Sequence, residues 1–483
     1  MPLEIAEDWI RRQAPDVQAV VRMLLARIVE QDRRIAELEA RIVDLQGRLN
    51  KSPQNSSLPP SSQHPHAKPP IAKPKSKKKR GGQPGHVKHE RSLLPTAQCD
   101  DVHMLKPSAC RRCGTKLTGM DANPLRHQIW ELPEIKPLVT EYQRHRLRCA
   151  CCATTTCAPL PPGVSLGQAG PRLTALTALL MGCFRQSKSR VALFLEQVLG
   201  QPCSPGWVVK LQNQATAALR PNWQELAAQL SNQDNLGIDE TPTKEGSRKS
   251  WLWACVAKPF TVFALRPTRA ATVLTELLGG KFRGVTNCDR AKMYWSLGRL
   301  QWCWAHLKRD FQALVDSTDR KAQWLGRDLM RSTGDLFRQW ARYRDGTLTR
   351  RGFVRHMQPI RAQIESLLLR GAFSGSARLI GMCNELYDHR DWLWKFVDVA
   401  GVEPTNNASE RALRHAVIWR KLSFGTQSAA GSRFVETMLT VVETCRQQGR
   451  KVFTHLVNAL QSHLIAHPPR PLRAHTTAAP LKP

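Results

Sequence analysis

Residues 51–90 read KSPQNSSLPPSSQHPHAKPPIAKPKSKKKRGGQPGHVKHE and show no apolar period, only a crowding of Pro, Ser and Lys. Such a stretch cannot bury enough apolar surface to offset the entropy of ordering it. No single core can run through it, so the residues before 51 must pack on themselves or on another chain. The expectation for 51–95 is a basic disordered linker. In it Lys77, Lys78, Lys79 and Arg80, with Lys73 and Lys75 just ahead, make a phosphate-binding arm whose affinity depends on salt and not on base sequence. The plainer reading of such a charge run is a solvated linker.

Ahead of that break, Val21, Ile28, Ile35, Ile42 and Leu49 recur every seven residues, with Leu24, Gln31, Leu38 and Leu45 three positions after the first four. Apolar a and d positions make a coiled-coil seam, and β-branched a with Leu at d favours a parallel dimer. Gln31 at one d position costs stability and can set register. The alternative is an amphipathic helix packed on its own chain, but the break leaves little adjacent sequence for that. Residues 1–50 are therefore expected to be a coiled-coil dimerisation helix, giving a homodimer or higher oligomer.

Charge is divided the same way. Residues 1–50 hold 8 basic and 9 acidic side chains, residues 51–100 hold 10 and 2, and the whole chain of 483 residues carries a net +33. That surplus points to a polyanion, nucleic acid above all. No run of 18 apolar residues occurs, and Glu4, Glu7, Asp8 and Arg11 occupy the place of a secretory leader. The expectation is a cytoplasmic chain with no membrane partner, its fourteen cysteines kept as thiols.

Seven of those cysteines lie between 99 and 157. Cys110/Cys113 and Cys149/Cys152 form two Cys-x-x-Cys knuckles, the donor set of a tetrahedral structural zinc site. Cys151 competes with Cys152 for the fourth position. The 36 positions between the knuckles call for bridging strands such as Leu138–Tyr142, within a zinc-binding domain at 96–162. A redox pair is the alternative, but it would not call for a second knuckle.

From 163 to 230 the pattern is helical. Ser187–Leu199 is followed by the breaker Gly200, and Ser204-Pro205 supplies an N-cap and an N1 proline for a helix to about Leu219. Two helices across a short turn, with Lys188, Arg190 and Lys210, read either as a helix-turn-helix-like DNA-binding region or as an ordinary helical hairpin. After Asn235 come short β runs: Leu236–Asp239, Ser250–Ala257, Phe260–Leu265, Gly284–Asp289 and Leu300–Trp304, with a helix at about 269–279. They imply a mixed sheet covered by helices, and a multidomain α+β chain overall.

Asp239 closes the first of these strands and Asp289 the fourth; neighbouring strands would set both carboxylates at one sheet edge, where hard divalent cations bind. Glu410 is the candidate for a third acid, which would complete a two-metal phosphoryl-transfer site. Each has a plainer role: Asp239 as a turn residue, Asp289 as an N-cap, and Glu410 as capping-box partner of an N-cap Asn407.

The ordered set of motifs is specific. It comprises Asn55-Ser56-Ser57 with Pro59-Pro60-Ser61-Ser62, Gly81-Gly82-Gln83-Pro84-Gly85-His86, both knuckles and Asp239-Glu240-Thr241-Pro242. Farther on come Cys303-Trp304-Ala305-His306-Leu307-Lys308-Arg309-Asp310-Phe311, Asn406-Asn407, Glu410-Arg411-Ala412-Leu413-Arg414 and Arg420-Lys421. In this set the chain resembles transposases of the insertion-sequence 66 family to about residue 450. One departure is Arg290, where the family usually has glycine after its second aspartate; Tyr294 five positions on is retained.

The resemblance implies a ribonuclease H-like α/β domain at 231–430 with an α-helical insertion at about 312–400. Its Asp239, Asp289 and Glu410 would bind two Mg²⁺ (or Mn²⁺) ions, and Zn²⁺ would be structural. Element ends and target DNA are the implied partners, with accessory proteins from the same element and nucleoid association in a bacterium as further implications. His306, Lys308, Arg309, Arg411, Arg414, Arg420 and Lys421 are candidates for phosphate contact. Within the insertion, Trp324, Phe337, Trp340, Trp392 and Trp394 are expected to pack, one of them being available to stack on an unpaired base. A C-terminal helix at 431–466 and a disordered tail at 467–483 complete the layout. Two other functions stay open: a DNA-binding relative without catalysis, and a nuclease that cuts without joining strands.

Overall fold

The computed structural model describes residues 7–49, 55, 92–280, 282–374, 376–467, 469 and 471–472. The chain falls into two compact units, one Pro65–Val139 and the other Met1–His64 with Thr140–Pro483. Lys77, Lys78, Lys79 and Arg80 lie outside the described residues, as does the tail from 473.

In the smaller unit the described residues hold one 3-10 turn at Thr96–Gln98 and no strand, and the side chain of Gln128 is bonded to the backbone N–H and C=O of Leu94, both at 2.9 Å. The larger unit begins with α1 (Glu7–Arg11) and α2 (Pro15–Leu49). On α2, Leu24, Ile28, Ile35, Leu38, Ile42 and Leu45 are 42–53% exposed. These six heptad side chains are thus not buried against their own chain. A strand was expected at Leu138–Tyr142 and none forms there: Leu138 is fully exposed, with no neighbour to bury it. The short hairpin is instead β1 (Arg146–Arg148) against β2 (Thr155–Cys157).

Three helices follow: α3 (Pro171–Gly182), α4 (Lys188–Leu199) and α5 (Pro205–Ala228). Ser187 and Ser204 cap α4 and α5 as their positions predict, accepting from the backbone N–H of Arg190 and Trp207. α5 overruns its expected end because Leu219, Trp223 and Leu226 continue its buried stripe past Pro221. The Trp223 indole donates to the carbonyl of Phe263 at 2.8 Å. This second helix is therefore built into the core along its length.

The five-stranded sheet has the order β5-β4-β3-β6-β7, from β3 (Asn235–Glu245), β4 (Arg248–Val256), β5 (Thr261–Arg266), β6 (Val285–Cys288) and β7 (Leu300–Trp302). β4 runs antiparallel to β3 and β5; β6 and β7 run parallel to β3. α6 (Ala271–Leu278) makes the crossover from β5 to β6. The first strand is longer than expected because its hairpin with β4 continues from Asp239 to Glu245.

Between β7 and the helix bearing Glu410 stand α7 (Trp304–Val315), α8 (Arg320–Arg344), α9 (Arg350–Ala372), α10 (Ala377–Asp388) and α11 (Lys395–Asp398). Trp394 is fully buried there, whereas Trp324 on α8 is 70% exposed. α12 (Asn407–Ser423), α13 (Ala429–Gln447) and α14 (Val452–Leu464) finish the unit. The single C-terminal helix expected at 431–466 is two, divided at Gly449, whose φ of 64° is the left-handed conformation that ends helices.

β5 is an edge strand, and α13 closes it. Glu436, Thr440 and Thr444, spaced four apart on one helix face, accept from the N–H groups of Leu265 (2.7 Å), Phe263 (2.9 Å) and Thr261 (3.2 Å). These are alternate residues of β5, whose N–H groups point away from β4. An open edge is a template for unwanted strand pairing, and here side chains satisfy it.

Candidate active site

Strand alternation sets the first carboxylate. Leu236 and Ile238 are buried on one face of β3, leaving Gly237, Asp239 and Thr241 on the other, where α12 lies. The parallel register pairs Gly237 with Asn287, and two residues farther along each strand stand Asp239 and Asp289. Asp239 remains paired with Ala254 of β4, while β6 has already stopped at Cys288. Asp239 is therefore mid-strand, not a strand end, and its site opens because its neighbour is shorter.

Glu410 arrives on α12, which is bound closely to the sheet. The Asn406 side-chain amide donates to the Ile238 carbonyl at 2.8 Å, and its backbone N–H donates to the Cys303 sulfur at 3.2 Å. Asn287 on β6 donates to the carbonyls of Glu403 (2.7 Å) and Thr405 (3.1 Å). A Cβ at Gly237 would sit 2.4 Å from Ser409 Oγ and 2.9 Å from Asn406 Oδ1, so the helix can approach only because that residue has no side chain. Farther along, Arg420 donates to Thr241 Oγ1 at 3.0 Å and to the Pro242 carbonyl.

The capping-box reading of Glu410 is not what forms. Asn406 takes the N-cap position and makes no side-chain cap, its amide being used on β3. Glu410 Oε1 is buried and has no hydrogen-bond partner among the described residues. Asp289 does retain a local role, accepting from the Ala291 N–H at 2.8 Å.

The acids strain one another. Burial raises the Asp239 carboxyl well above its ordinary value, and the charges of Glu240, Asp289 and Glu410 add to this. Glu240 is also raised by burial, with Tyr294 and Arg269 pulling it back. His306 Nε2 stands 3.8 Å from Glu410 Oε1, and burial keeps its imidazole below the usual range despite that carboxylate. Cys303 Sγ, His306 and Glu410 bring donor atoms within 4.8 Å of one another. Burial pushes the Cys303 thiol up to about 11. Desolvated carboxylates that repel one another, one with an oxygen that accepts no hydrogen bond among the described residues, form a donor set suited to a hard divalent cation.

The remaining candidates divide. Lys308, Arg411, Arg414 and Lys421 are exposed, Arg309 is half-buried, and Arg420 is spent on β3. Arg290, in the place usually held by glycine, pairs with Asp310 on α7 (2.8 Å) and Glu385 on α10 (2.9 Å), tying the loop after Asp289 to the helical insertion. Arg269 and Asn287 were not singled out by pattern; Glu240 and Asn406 stood in quoted motifs without a role, and Tyr294 was marked by its place five residues after Asp289.

The two knuckles, each taken by itself, repeat one design. In the smaller unit Cys110 N–H donates to the Thr115 carbonyl (2.9 Å), Gly114 N–H donates to the Cys110 carbonyl (2.9 Å), and Cys113 Sγ lies 3.3 Å from Thr115 Oγ1. In the larger unit Cys149 and Thr154, Ala153 and Cys149, and Cys152 and Thr154 repeat those contacts at 2.9, 3.0 and 3.3 Å. Gly114 and Ala153 both have positive φ. Cys152, not Cys151, holds the place that Cys113 holds. The Thr115 hydroxyl, with its backbone and Cys110, lowers the Cys113 thiol to about 7, and the Cys152 thiol is lowered the same way by Thr154 and Cys149. Paired, acidified thiols fit zinc.

Comparison with known proteins puts both knuckles in one sequence profile. The sequence profile described as zinc-finger binding domain of transposase IS66 matches residues 107–153, and a family of unknown function, DUF6444, matches residues 10–92. The chain is 26% identical over 233 residues to a protein of Sinorhizobium fredii (strain NBRC 101917 / NGR234) described as Uncharacterized protein y4qI. That similarity covers 43% of this chain and 42% of the relative, so the chain spans about two-fifths of the curated relative it matches. The profile described as Transposase IS66 family matches residues 166–433, more than half of the chain and all of the sheet, α12 and the three carboxylates; the chain belongs to the IS66 family of transposases.

Proposed function

We propose that the chain is a DNA transposase whose residues 231–430 form a ribonuclease H-like domain that cleaves phosphodiesters at the ends of its element and joins them to target DNA. The observation carrying this reading is that Asp289, just past the end of β6, and Glu410 on α12 both act by their charge on the buried Asp239 carboxyl. Supporting it are the strand order β5-β4-β3-β6-β7 with β4 alone reversed, and a helical insertion between β7 and α12.

Asp239, Asp289 and Glu410 would hold Mg²⁺ or Mn²⁺, which when bound supplies an activated water or 3′-hydroxyl and stabilises the leaving oxygen. The chain's own part is placement. Asn406, Asn287 and Gly237 fix Glu410 against β3, and the exposed Lys308, Arg411, Arg414 and Lys421 offer charge to the DNA backbone. His306, from the same helix as Lys308 and Arg309, stands beside Glu410. No Ser or Tyr nucleophile is required. The exposed heptad seam of α2 supports pairing of two copies as a coiled coil, which would bring two element ends together.

The test is incubation of the purified full-length chain with DNA carrying its own element's ends. Nicking and strand joining with Mg²⁺, and neither with chelator, are expected; cleavage without joining would mark a nuclease, and binding alone a non-catalytic relative.

We propose that the thiols used for zinc are Cys110 and Cys113 of one knuckle and Cys149 and Cys152 of the other, supported by the lowered Cys113 and Cys152 thiols. Cys152→Ala is expected to lower the zinc content of the purified protein, measured by elemental mass spectrometry, while Cys151→Ala leaves it unchanged. The reverse pattern would move the fourth ligand to Cys151.

A further inference from the structure

Next to the three carboxylates lies a cation that pattern did not single out. Arg269 follows β5, and its Nη2 is 3.8 Å from Asp289 Oδ2. Its Nε and Nη2 are both engaged at 2.5 Å by Oε1 of Glu240, the residue after Asp239. The Glu240 side chain is only 2% exposed, and its other oxygen accepts from the Tyr294 hydroxyl. Tyr294 is itself fully buried and meets Trp253, the cross-strand partner of Glu240, edge to face.

We propose that Arg269 is a phosphate-binding group that takes an oxygen of the DNA phosphodiester seated at Asp239, Asp289 and Glu410, and that Glu240 is the positioning residue that aims it. This rests on the reading of those three acids as the reaction site.

Both Glu240 oxygens are already committed, one to Tyr294 and one to Arg269, so it is not a fourth donor for a cation. Its buried charge holds a guanidinium by one edge. A purely structural pair would be closed over, yet the Arg269 side chain is 40% exposed and rests 5.3 Å over the Trp251 ring. Among the described residues nothing accepts a hydrogen bond from its Nη1. That edge is therefore open beside Asp289, and a planar guanidinium with an open edge suits a phosphate oxygen. Tyr294 gives the tyrosine five residues after Asp289 its function: it links the segment that follows β6 to the strand bearing Asp239.

Two measurements on Arg269→Ala, Arg269→Lys and Glu240→Gln decide the matter. The first is binding of duplex DNA carrying the element's end, followed by fluorescence anisotropy in chelator across a salt series. Loss of one phosphate contact should reduce the slope of log K against log salt by about 0.9 in Arg269→Ala, with Arg269→Lys near the parent. The second is cleavage against Mg²⁺ concentration. Arg269→Ala should lose about 10²-fold in rate at saturating Mg²⁺ with no rise in the Mg²⁺ needed for half-maximal rate. Glu240→Gln should lose in the same direction, and the double variant should be no worse than Arg269→Ala.

An unchanged salt slope, or a rate loss recovered by more Mg²⁺, would overturn the proposal and make Arg269 only an organiser of Asp289. If the parent protein does not cleave, the reading of the three acids fails, while the salt slope still decides whether Arg269 meets DNA. Thermal unfolding of each variant, with Arg269→Lys as the charge-preserving control, separates misfolding from loss of contact.

Discussion

Asp239→Asn is expected to reduce Mg²⁺-dependent strand cleavage by at least about 10³-fold while leaving binding to element ends intact. The substitution keeps the size of the side chain and its place on β3, and Asn can still accept the Glu240 N–H that Asp239 accepts at 3.0 Å. What it removes is a negative charge from a group of carboxylates that already repel one another. Two consequences point in opposite directions. In chelator the variant should unfold at a higher temperature than the parent, because a desolvated charge facing Glu240, Asp289 and Glu410 has gone; about 1 kcal/mol corresponds to roughly 2–4 °C in a domain of this size. With Mg²⁺ added, the parent should gain stability through binding and the variant should not. A site that costs stability when empty and repays it on loading is a functional site, and such a trade is common. Retained nicking in Asp239→Asn, or a Mg²⁺ shift equal to the parent's, would remove Asp239 from the reaction.

Glu436→Ala is expected to destabilise the larger unit by about 3–5 kcal/mol, read as a lowered midpoint in thermal or urea unfolding. The Glu436 side chain is 2% exposed and pairs with Arg266 at 2.9 Å and Arg220 at 3.1 Å. Truncation leaves the largely covered Arg220 guanidinium without its acid, leaves Arg266 with Glu276 alone, and strips the Leu265 N–H of its acceptor. Glu436→Gln should cost less, since its amide oxygen can still take the Leu265 N–H. Because the lost group also closes the edge of β5, the Ala variant should aggregate from partly unfolded states at lower temperature than an equally destabilised core variant. A change within about 0.5 kcal/mol, the range of ordinary surface substitutions, would mean that α13 does not rely on this acid.

Much of the fold was legible because local rules and tertiary structure agreed. Ser187, Ser204 and Pro205 mark helix starts through groups satisfied within a few residues. The apolar and aromatic runs of β3 and β4 locate strands because the sheet is covered by helices. The misreadings have one origin. The segment at Leu138–Tyr142 has strand composition, but a strand exists only with a partner, and composition does not name one. Asn407 and Glu410 have capping-box spacing, yet Asn406 is drawn to the Ile238 carbonyl, a partner 168 residues away. Helix α5 was expected to end near Leu219 because its later residues bury their apolar face against elements far along the chain.

The candidate site divides along the same line. Asp239, Asp289 and Glu410 could be named from motifs, and the sheet register then sets the two aspartates level. Arg269 and Asn287 carry no local signature, and the motif holding Glu240 does not show its role, since their partners lie on other elements. Gly237 reads as an ordinary glycine in a strand until Ser409 and Asn406 are seen pressing on it. By itself the sequence determined the order of segments, the break at 51–90, the knuckles, the heptads and the acids available for chemistry, because these follow from composition and short-range spacing. Tertiary structure alone decided which acids are spent and which stand open, which cation faces them, and which helix closes the sheet, because burial and pairing depend on neighbours that spacing along the chain does not reveal.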